Sequence, residues 1–492
     1  MTARTEGVDL KFRPWREPPD GKRHRSLWLR TALGDESTLD VQRLQESRKV
    51  DVCIIGGGFT GLWTANRLCE LVPGSDIAIV EADLCGTGAS GRNSGGMGHW
   101  WSKLPSLLRK LGRDDAVFVL NKSVAILDEI ADFVAQHQIQ CELRRGASVW
   151  TATSKAHVGA WDELLRLTEG LGLQAPYRVL DAAELAPIFG RGPYYAGVVE
   201  DGAMRVQPAM LARGLRRVAL GHGVKIFEKS PVSRILSTPD GVLVETLEGR
   251  ILAQRVVLAA NAWMAHMAPF RQSVMVISSD IIFTDPIPEV LQQRGLQNRP
   301  GSRNSQLMMN YGGRTPDGRI YLGRGGGSIA FNANIGAEFD YSRDQAAEIE
   351  QDFRYLYPDL ADVPIAGGWA GPIDRSTTGL PFFGRLEDPR VHYAIGYTGH
   401  GVAASAMAGH ALAAALADRS NDWTRLSDCL ARAREGSFPP EPVRYLGGRV
   451  VRAGVLRKER AEREGRQPAW LDAQLAKLAP ATMTDVFRRK AN

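Results

Sequence analysis

The chain has 492 residues, 44% hydrophobic and 24% charged, close to globular averages; disordered and collagen-like classes are excluded, and two or three domains can each bury a core. The net charge is +6, but residues 444–492 carry twelve Lys and Arg against five acids, and residues 1–49 carry eleven against eight, which leaves about −4 between them. The basic balance therefore belongs to the ends and is not a nucleic-acid footprint of the centre.

No apolar run approaches the ~18 residues of a membrane span. Residues 1–49 read as an arm. MTARTEGVDLKFRPW has no apolar signal core, which predicts a cytoplasmic protein. Pro14, Pro18 and Pro19 then lead to SLWLRTAL, which predicts one packed turn. The five cysteines (Cys53, Cys69, Cys85, Cys141 and Cys429) are odd in number and form no CxxC, which argues against a disulfide framework or a zinc site and fits a reducing compartment.

Residues 50–55, VDVCII, read as a buried parallel strand that runs into Gly56-Gly57-Gly58-Phe59-Thr60-Gly61. Leu62, Ala65, Leu68, Cys69 and Leu71 then follow helical spacing up to Val72-Pro73-Gly74-Ser75, and a second strand, Ile77–Val80, ends on Glu81. In this strand–turn–helix–strand unit Gly56 permits the tight turn, Gly58 lets the backbone approach a pyrophosphate, and Gly61 allows close helix–strand packing. The helix start offers free N–H groups and a positive dipole end to phosphates. Glu81, 20 residues past Gly61, can accept both hydroxyls of an adenosine ribose and would repel a 2′-phosphate, which favours FAD or NAD over NADP.

The glycine-rich stretch that follows, from Ala82 through Gly88, Ser90, Arg92, Asn93, Ser94, Gly95 and Gly96 to His99, can thread past a large flat ligand and donate backbone N–H bonds. Arg92 can neutralise phosphate charge. A plain NAD domain does not need this second cradle.

The pattern GGGFTGL…IVEA…GASGRNSGG resembles the D-amino-acid-oxidase/glycine-oxidase/sarcosine-oxidase superfamily of FAD enzymes, and within it the γ-glutamylputrescine-oxidase-like bacterial branch. Further motifs agree in order over roughly residues 48–420: the hairpin opening at Val232, the strand Val256–Ala260 ending at Asn261-Ala262-Trp263, and Gly396-Tyr397-Thr398-Gly399-His400-Gly401-Val402 before a small-residue helix. The resemblance implies an α/β (α+β overall) fold, a Rossmann-like FAD-binding domain with an inserted antiparallel-sheet substrate domain. The expected division is an arm over 1–49; an FAD-binding domain from 50–139, 211–264 and 366–420; a substrate domain from 140–210 and 265–365; and a basic helical extension over 421–492. Expected strands in the substrate domain are Ala147–Thr153, Tyr195–Val199, Val274–Phe283, Gln306–Asn310 and Arg319–Leu322.

The resemblance also implies function. Val232 and Asn261 would lie beside the adenosine, where many relatives have Gly in place of Asn261, and Gly399, His400, Gly401 and Val402 would close over the flavin. A glycine loop that feeds a helix start suits the flavin edge that becomes negative on reduction. The implied reaction is hydride transfer from a carbon bearing an amine to flavin N5, giving an imine that water hydrolyses; the flavin carries the chemistry, and the protein supplies placement. The electron acceptor would be O2 or a quinone. FAD would be held non-covalently: no cysteine lies between residues 142 and 428, where sarcosine-oxidase-like members attach flavin, and Arg92 and Asn93 stand where dimethylglycine-dehydrogenase-like members carry a histidine.

The candidate catalytic residues are His99, Arg375 and Arg324, with Trp100, Trp101 and Trp369 as candidate walls of an amine pocket. Arg375 could bind a carboxylate or pair with Asp374. The C-terminal LRKERAEREG and PAWLDAQLAKLAP predict amphipathic helices, solvated or used for surface attachment or oligomer contact. Two other functions have features of their own. A flavin-dependent hydroxylase would carry a Gly-Asp pair where this chain has Gly399-His400-Gly401; a non-catalytic flavin-binding or assembly module would show no turnover.

Overall fold

The computed structural model describes residues 7–15, 23–34, 41–432 and 434–480. The end of the basic extension, 481–492, lies outside the described residues.

The first sheet is organised around Ser47–Ile55. Its apolar end, Val52 to Ile55, is buried, as expected of a strand covered on both faces. It pairs in parallel with Ile77–Val80, which pairs in parallel with Lys225–Phe227. On the other side it pairs in parallel with Arg250–Leu258, which also takes Val391–Ile395 in parallel. Arg250–Leu258 closes an antiparallel meander with Gly241–Thr246 and Val232–Thr238, and Asp9–Lys11 of the arm forms its outer edge.

Two helices cover one face of this sheet. Phe59–Leu71 follows the glycine turn, and Gly401–Leu416 follows the second glycine loop. The second is apolar all round, as a helix enclosed on every side must be. They approach closely because Gly409 has no side chain: a Cβ there would lie 2.5 Å from that of Trp63.

The second sheet runs, in spatial order, Ile365–Ser376, Val274–Thr284, Ile320–Ile329, Asn310–Arg314, Gly301–Asn304, Arg144–Ala152, Ala196–Arg205 and Gly96–Met97, with Tyr177–Asp181 paired to Ala196–Arg205. Its pairings are antiparallel except for Gly301–Asn304 against Arg144–Ala152. The architecture is thus a Rossmann-like β-α-β region with a separate, largely antiparallel sheet. The segment 366–420 contributes to both sheets, since Ile365–Ser376 runs along Val274–Thr284 while Phe382–Arg385 and Val391–Ile395 sit in the first.

The strand expected at Gln306–Asn310 is a turn between Gly301–Asn304 and Asn310–Arg314. The side chain of Asn304 explains it: Oδ1 accepts the backbone N–H of Gln306 at 3.3 Å and of Asn310 at 2.9 Å, closing a loop that competes with a ladder.

The basic extension forms helices Val443–Arg463 and Trp470–Lys477. One face is docked on the outer side of the second sheet rather than solvated. Val455 is fully buried among Met308 and Ala476, and Glu459 Oε1 accepts the N–H of Met308 at 3.0 Å. Arg452 Nε donates to the carbonyl of Gly326 at 2.7 Å, and Arg463 bonds Asp352 and Gln306. Among the described residues no helix is long and apolar enough to cross a membrane.

Candidate active site

A cavity of about 650 Å³ lies between the two sheets, within the usual range for a ligand site. Gly56, Gly58, Phe59, Thr60, Glu81, Ala82, Gly88, Ser90, Arg92, Asn93, Ser94, Gly96, Val232, Asn261, Gly399, His400, Gly401 and Val402 all line it, and so do His99, Trp100 and Arg375.

At one end the lining is backbone. Gly56 has φ +114°, and a Cβ there would meet the carbonyl oxygen of Ala259 at 2.6 Å. Gly61 does not line the cavity; a Cβ on it would fall 2.1 Å from the carbonyl oxygen of Gly56, so its role is the close helix–strand packing that shapes the turn. Gly95 is also a packing residue, with φ +74° and a would-be Cβ 1.9 Å from the oxygen of Val206. The helix Phe59–Leu71 has Gly58 at its cap and no side chain bonding its first turn from that position; Ser90 Oγ accepts the N–H of Phe59 at 2.8 Å. Glu81 Oε2 accepts the N–H of Gly57 at 2.6 Å, and Oε1 that of Asp83 at 2.9 Å. Burial pushes its carboxyl up to about 7 against those two bonds. Asn261 sits at φ +47°, a left-handed conformation that Asn tolerates and Gly adopts freely, which accounts physically for those two residue types at this point of the chain. Trp15 of the arm packs on Trp263 with ring centroids 5.9 Å apart, and both line this end.

These features fit an FAD: side-chain-free backbone against a helix start for the pyrophosphate, a carboxylate at the strand end for the ribose, and a second glycine loop for the ring. Gly399–Val402 starts the helix Gly401–Leu416, whose cap residue His400 makes no capping bond. Burial, with Lys103 and Arg303 nearby, drives the His400 ring well below its usual range, so it is neutral. The loop is held by buried Asp374, whose Oδ2 accepts the N–H of Gly396 at 2.6 Å. Burial raises that carboxyl to about 7, and the backbone N–H groups of Gly396 and Tyr397 oppose it. Thr398 is β-branched and left-handed at φ +52°, and its Oγ1 accepts the N–H of Ser376 at 3.1 Å. Strain of this kind persists only where surroundings over-determine it.

The loop Gly91–Ser94 is clamped through four successive carbonyls. Ser26 Oγ bonds the oxygen of Gly91 at 2.6 Å, Trp369 Nε1 that of Arg92 at 2.8 Å, Trp28 Nε1 that of Asn93 at 2.9 Å, and Tyr321 Oη that of Ser94 at 3.0 Å. Trp28 meets Tyr321 and Trp369 edge-on. Trp369 is therefore core and clamp, absent from the cavity lining, and Trp101 is likewise buried away from it.

Arg92 differs from expectation. Nε bonds the oxygen of Thr87 at 2.9 Å, Nη1 that of Ala370 at 2.8 Å, and Nη2 that of His24 at 2.8 Å while pairing with Asp340 at 3.1 Å. A guanidinium committed to the protein in this way anchors the loop to both sheets and has little left for a phosphate. Arg324 is a second departure. Side chains alternate along a strand, and Gly323 faces Tyr311 on the cavity side, so Arg324 points to the outer face. There it lies 3.3 Å from Glu348 and 3.4 Å from Asp352. His99 and Arg375 remain at the cavity: His99 Nδ1 lies 3.5 Å from Glu200 Oε1, and Arg375 Nη2 donates to the carbonyl of Pro480 at 2.7 Å, so the extension touches the site.

Several lining residues escaped the sequence reading. Glu200 is fully buried and bonds Arg303 at 3.1 Å and the N–H of His99 at 3.0 Å. Burial alone would raise its carboxyl, but Arg303 and His99 hold it below the usual range. Ser279 and Tyr311 share a 2.6 Å hydrogen bond. The one signal for Glu200 is an acid placed directly after the apolar run Ala196–Val199. Among the described residues no group of three or more His, Cys, Asp or Glu could hold a metal ion.

Residues 51–415 match the family described as FAD dependent oxidoreductase (DAO). A probable oxidoreductase OrdL of Haemophilus influenzae is 28% identical, over 83% of this chain and 90% of its own. A gamma-glutamylputrescine oxidoreductase of Escherichia coli is 27% identical, over 83% and 91%. Among solved structures, glycine oxidase of Geobacillus kaustophilus superposes with a TM-score of 0.62 at 20% identity, covering 76% of this chain and 96% of that one.

Proposed function

From the premise that this chain belongs to the FAD dependent oxidoreductase (DAO) family, we propose that it oxidises the C–N bond of an amine or amino acid, with FAD held non-covalently in the cavity between the sheets. The observation that carries the reading is the pairing in one cavity of a backbone-built end that fits the dinucleotide with a polar, side-chain-built wall on the opposing sheet. When bound, the flavin supplies at N5 the acceptor for the hydride that leaves the amine-bearing carbon.

The chain's own residues bind and orient. Backbone N–H groups at the start of Phe59–Leu71 meet the pyrophosphate, and Glu81 accepts from the ribose. Those at Gly399–Val402 stabilise charge at the ring edge. Asp374 keeps that loop in place through Gly396. His99, positioned by Glu200, and Arg375, positioned by Pro480, face the substrate. The resemblance to γ-glutamylputrescine-oxidase-like members is part of this proposal and rests on the GASGRN-G-G segment. O2 or a quinone completes the cycle. All five cysteines are free, in keeping with a cytoplasmic location.

The test is spectroscopic. The purified protein is expected to be yellow, to release its flavin on denaturation, and to bleach anaerobically with at least one amine of a broad panel, with colour returning in air if O2 is the acceptor. A colourless protein overturns the cofactor; a yellow one that no amine bleaches overturns the reaction.

A further inference from the structure

The C-terminal extension lies past residues 51–415, the stretch that matches the family, yet its inner face backs the wall of the cavity. The contact centres on the turn between Gly301–Asn304 and Asn310–Arg314. Leu307 and Met309 of that turn line the cavity, and Met308 between them is buried against the extension. Asn304 ties the two ends of the turn through the N–H groups of Gln306 and Asn310. The middle of the turn is outside those bonds.

One stripe of the helix Val443–Arg463 meets that middle. Val455, Glu459 and Arg463 are spaced four apart and share a face. Val455 packs on Met308, with Leu307 against the same cluster. Glu459 Oε1 accepts the N–H of Met308 at 3.0 Å. Arg463 Nη2 donates to Gln306 Oε1 at 2.9 Å, and Nη1 bonds Asp352, which accepts from Asn310 Nδ2 at 2.9 Å. A guanidinium only donates, so Arg463 also fixes which way the Gln306 amide faces.

Glu459 is the unusual member of the stripe. It is 3% exposed, and burial raises its carboxyl against the Met308 N–H and the nearby Arg324 and Arg463. Burying an acid is costly, and an apolar residue would dock the helix without that cost. What the acid adds is a directional bond to one backbone N–H of the cavity wall. The neighbouring piece of wall is gripped from the same helix. Arg452 Nε donates to the carbonyl of Gly326, which lines the cavity, and a Cβ on Gly326 would fall 2.1 Å from Met308 Sδ. A wall made of side chains keeps its shape only through such backing.

We propose that Glu459 and Arg463 are positioning residues: through Met308 and Gln306 they set where Leu307 and Met309 stand in the cavity, so that the extension helps to select the amine by the size of its apolar part. This rests on the amine-oxidation reading.

The experiment uses the full-length, flavin-loaded protein. Anaerobic flavin reduction is measured against concentration for an amine that bleaches the wild type and for homologues longer or shorter by single methylenes. Glu459→Leu leaves the Met308 N–H unpaired. It should change half-saturation by about 5- to 10-fold, the size of one lost hydrogen bond, unequally among the homologues, with limiting rate and flavin content unaltered. Glu459→Gln keeps an acceptor oxygen and should stay within about twofold of wild type. If Glu459→Leu does not fold, Arg463→Gln must show the same unequal change. A variant that weakens all homologues equally, or that lowers only the melting temperature, overturns the proposal, and so does Glu459→Gln if it is as impaired as Glu459→Leu. If no amine reduces the flavin, iodide quenching of its fluorescence reads how open the cavity is. Quenching altered in Glu459→Leu and restored in Glu459→Gln upholds the positioning while the amine reading fails; equal quenching in all three proteins overturns both.

Discussion

The two ends of the cavity are made of different materials. The end by the first sheet is backbone: glycines, helix starts and the carboxylate of Glu81 tied to two N–H groups. The end by the second sheet is long side chains, Glu200, Arg205, Arg303 and Tyr311, drawn from three strands. A backbone-built site is specified by a short, contiguous run, because each N–H comes with its residue. A side-chain-built site is specified only once the strands are registered.

The first way to break this contrast is to enlarge one residue at each end. Gly61→Ala places a Cβ 2.1 Å from the oxygen of Gly56, and neither atom can rotate away. The expected loss is roughly 3 kcal/mol or more of stability, with flavin content near zero, read by visible absorbance and thermal melting. A bulkier change at the other end, Ser148→Val, should leave flavin content near wild type. If Gly61→Ala retains its flavin, the backbone end is not rigid in the way described.

Next in size is Arg92→Met. It leaves the carbonyls of Thr87, Ala370 and His24 and the carboxylate of Asp340 without their partner. Breaking a buried pair of this kind costs about 3–5 kcal/mol. The melting temperature should fall, and if Arg92 anchors the loop rather than neutralising phosphate, flavin affinity should fall only as far as stability does. A large drop in flavin affinity at unchanged stability would return Arg92 to the phosphate.

The same contrast explains what could be read from the sequence. The strand–turn–helix–strand unit and Glu81 were legible because their geometry is local. Asn261 could be placed by resemblance, and its positive φ supplies the reason. Arg324 misled because it is flanked by glycines that do line or face the cavity, while strand alternation turns it outward onto Glu348 and Asp352. Arg205 carried no local signal: Gly301 and Gly313, where a Cβ would strike its guanidinium, lie about a hundred residues away in the chain. The charge of the extension was legible, but its docking was not, since Val455, Glu459 and Arg463 find partners only on the folded second sheet.

A third prediction concerns the joint between the two ends. Asp374 lies on a strand of the second sheet and holds the loop of the first. Its folded value of about 7 stands above the unfolded 3.8, so the fold binds the proton more tightly. The resulting stabilisation is complete below about pH 4, declines as pH rises, and is gone above about 7. Asp374→Asn keeps an oxygen acceptor and cannot ionise. Its melting temperature relative to wild type should therefore rise between pH 5 and pH 8. A constant difference across that range would mean the carboxylate is ionised throughout.

Tyr311→Phe is a smaller change and isolates the side-chain end. It removes the 2.6 Å bond to Ser279 while the ring stays packed. The expected effect is about 1 kcal/mol, roughly fivefold in substrate half-saturation, with flavin content unaltered.

The smallest effect should come from Arg234→Ala, which removes the exposed pair between Asp9 of the arm and the meander. The arm does not depend on that pair. Asp9–Lys11 continues the sheet through backbone pairing from Asp9 opposite Leu236 to Lys11 opposite Arg234, and Val8 buries its side chain behind it. Exposed pairs add little because solvent screens them and two long side chains must be ordered to form them. The melting temperature should stay within about 1 °C of wild type. Flavin content should hold as well, because Phe12 and Trp15 reach the backbone-built end of the cavity by way of the strand, not the ion pair. A clear loss of flavin on this substitution would show that even the backbone-built end borrows a surface charge to stay closed.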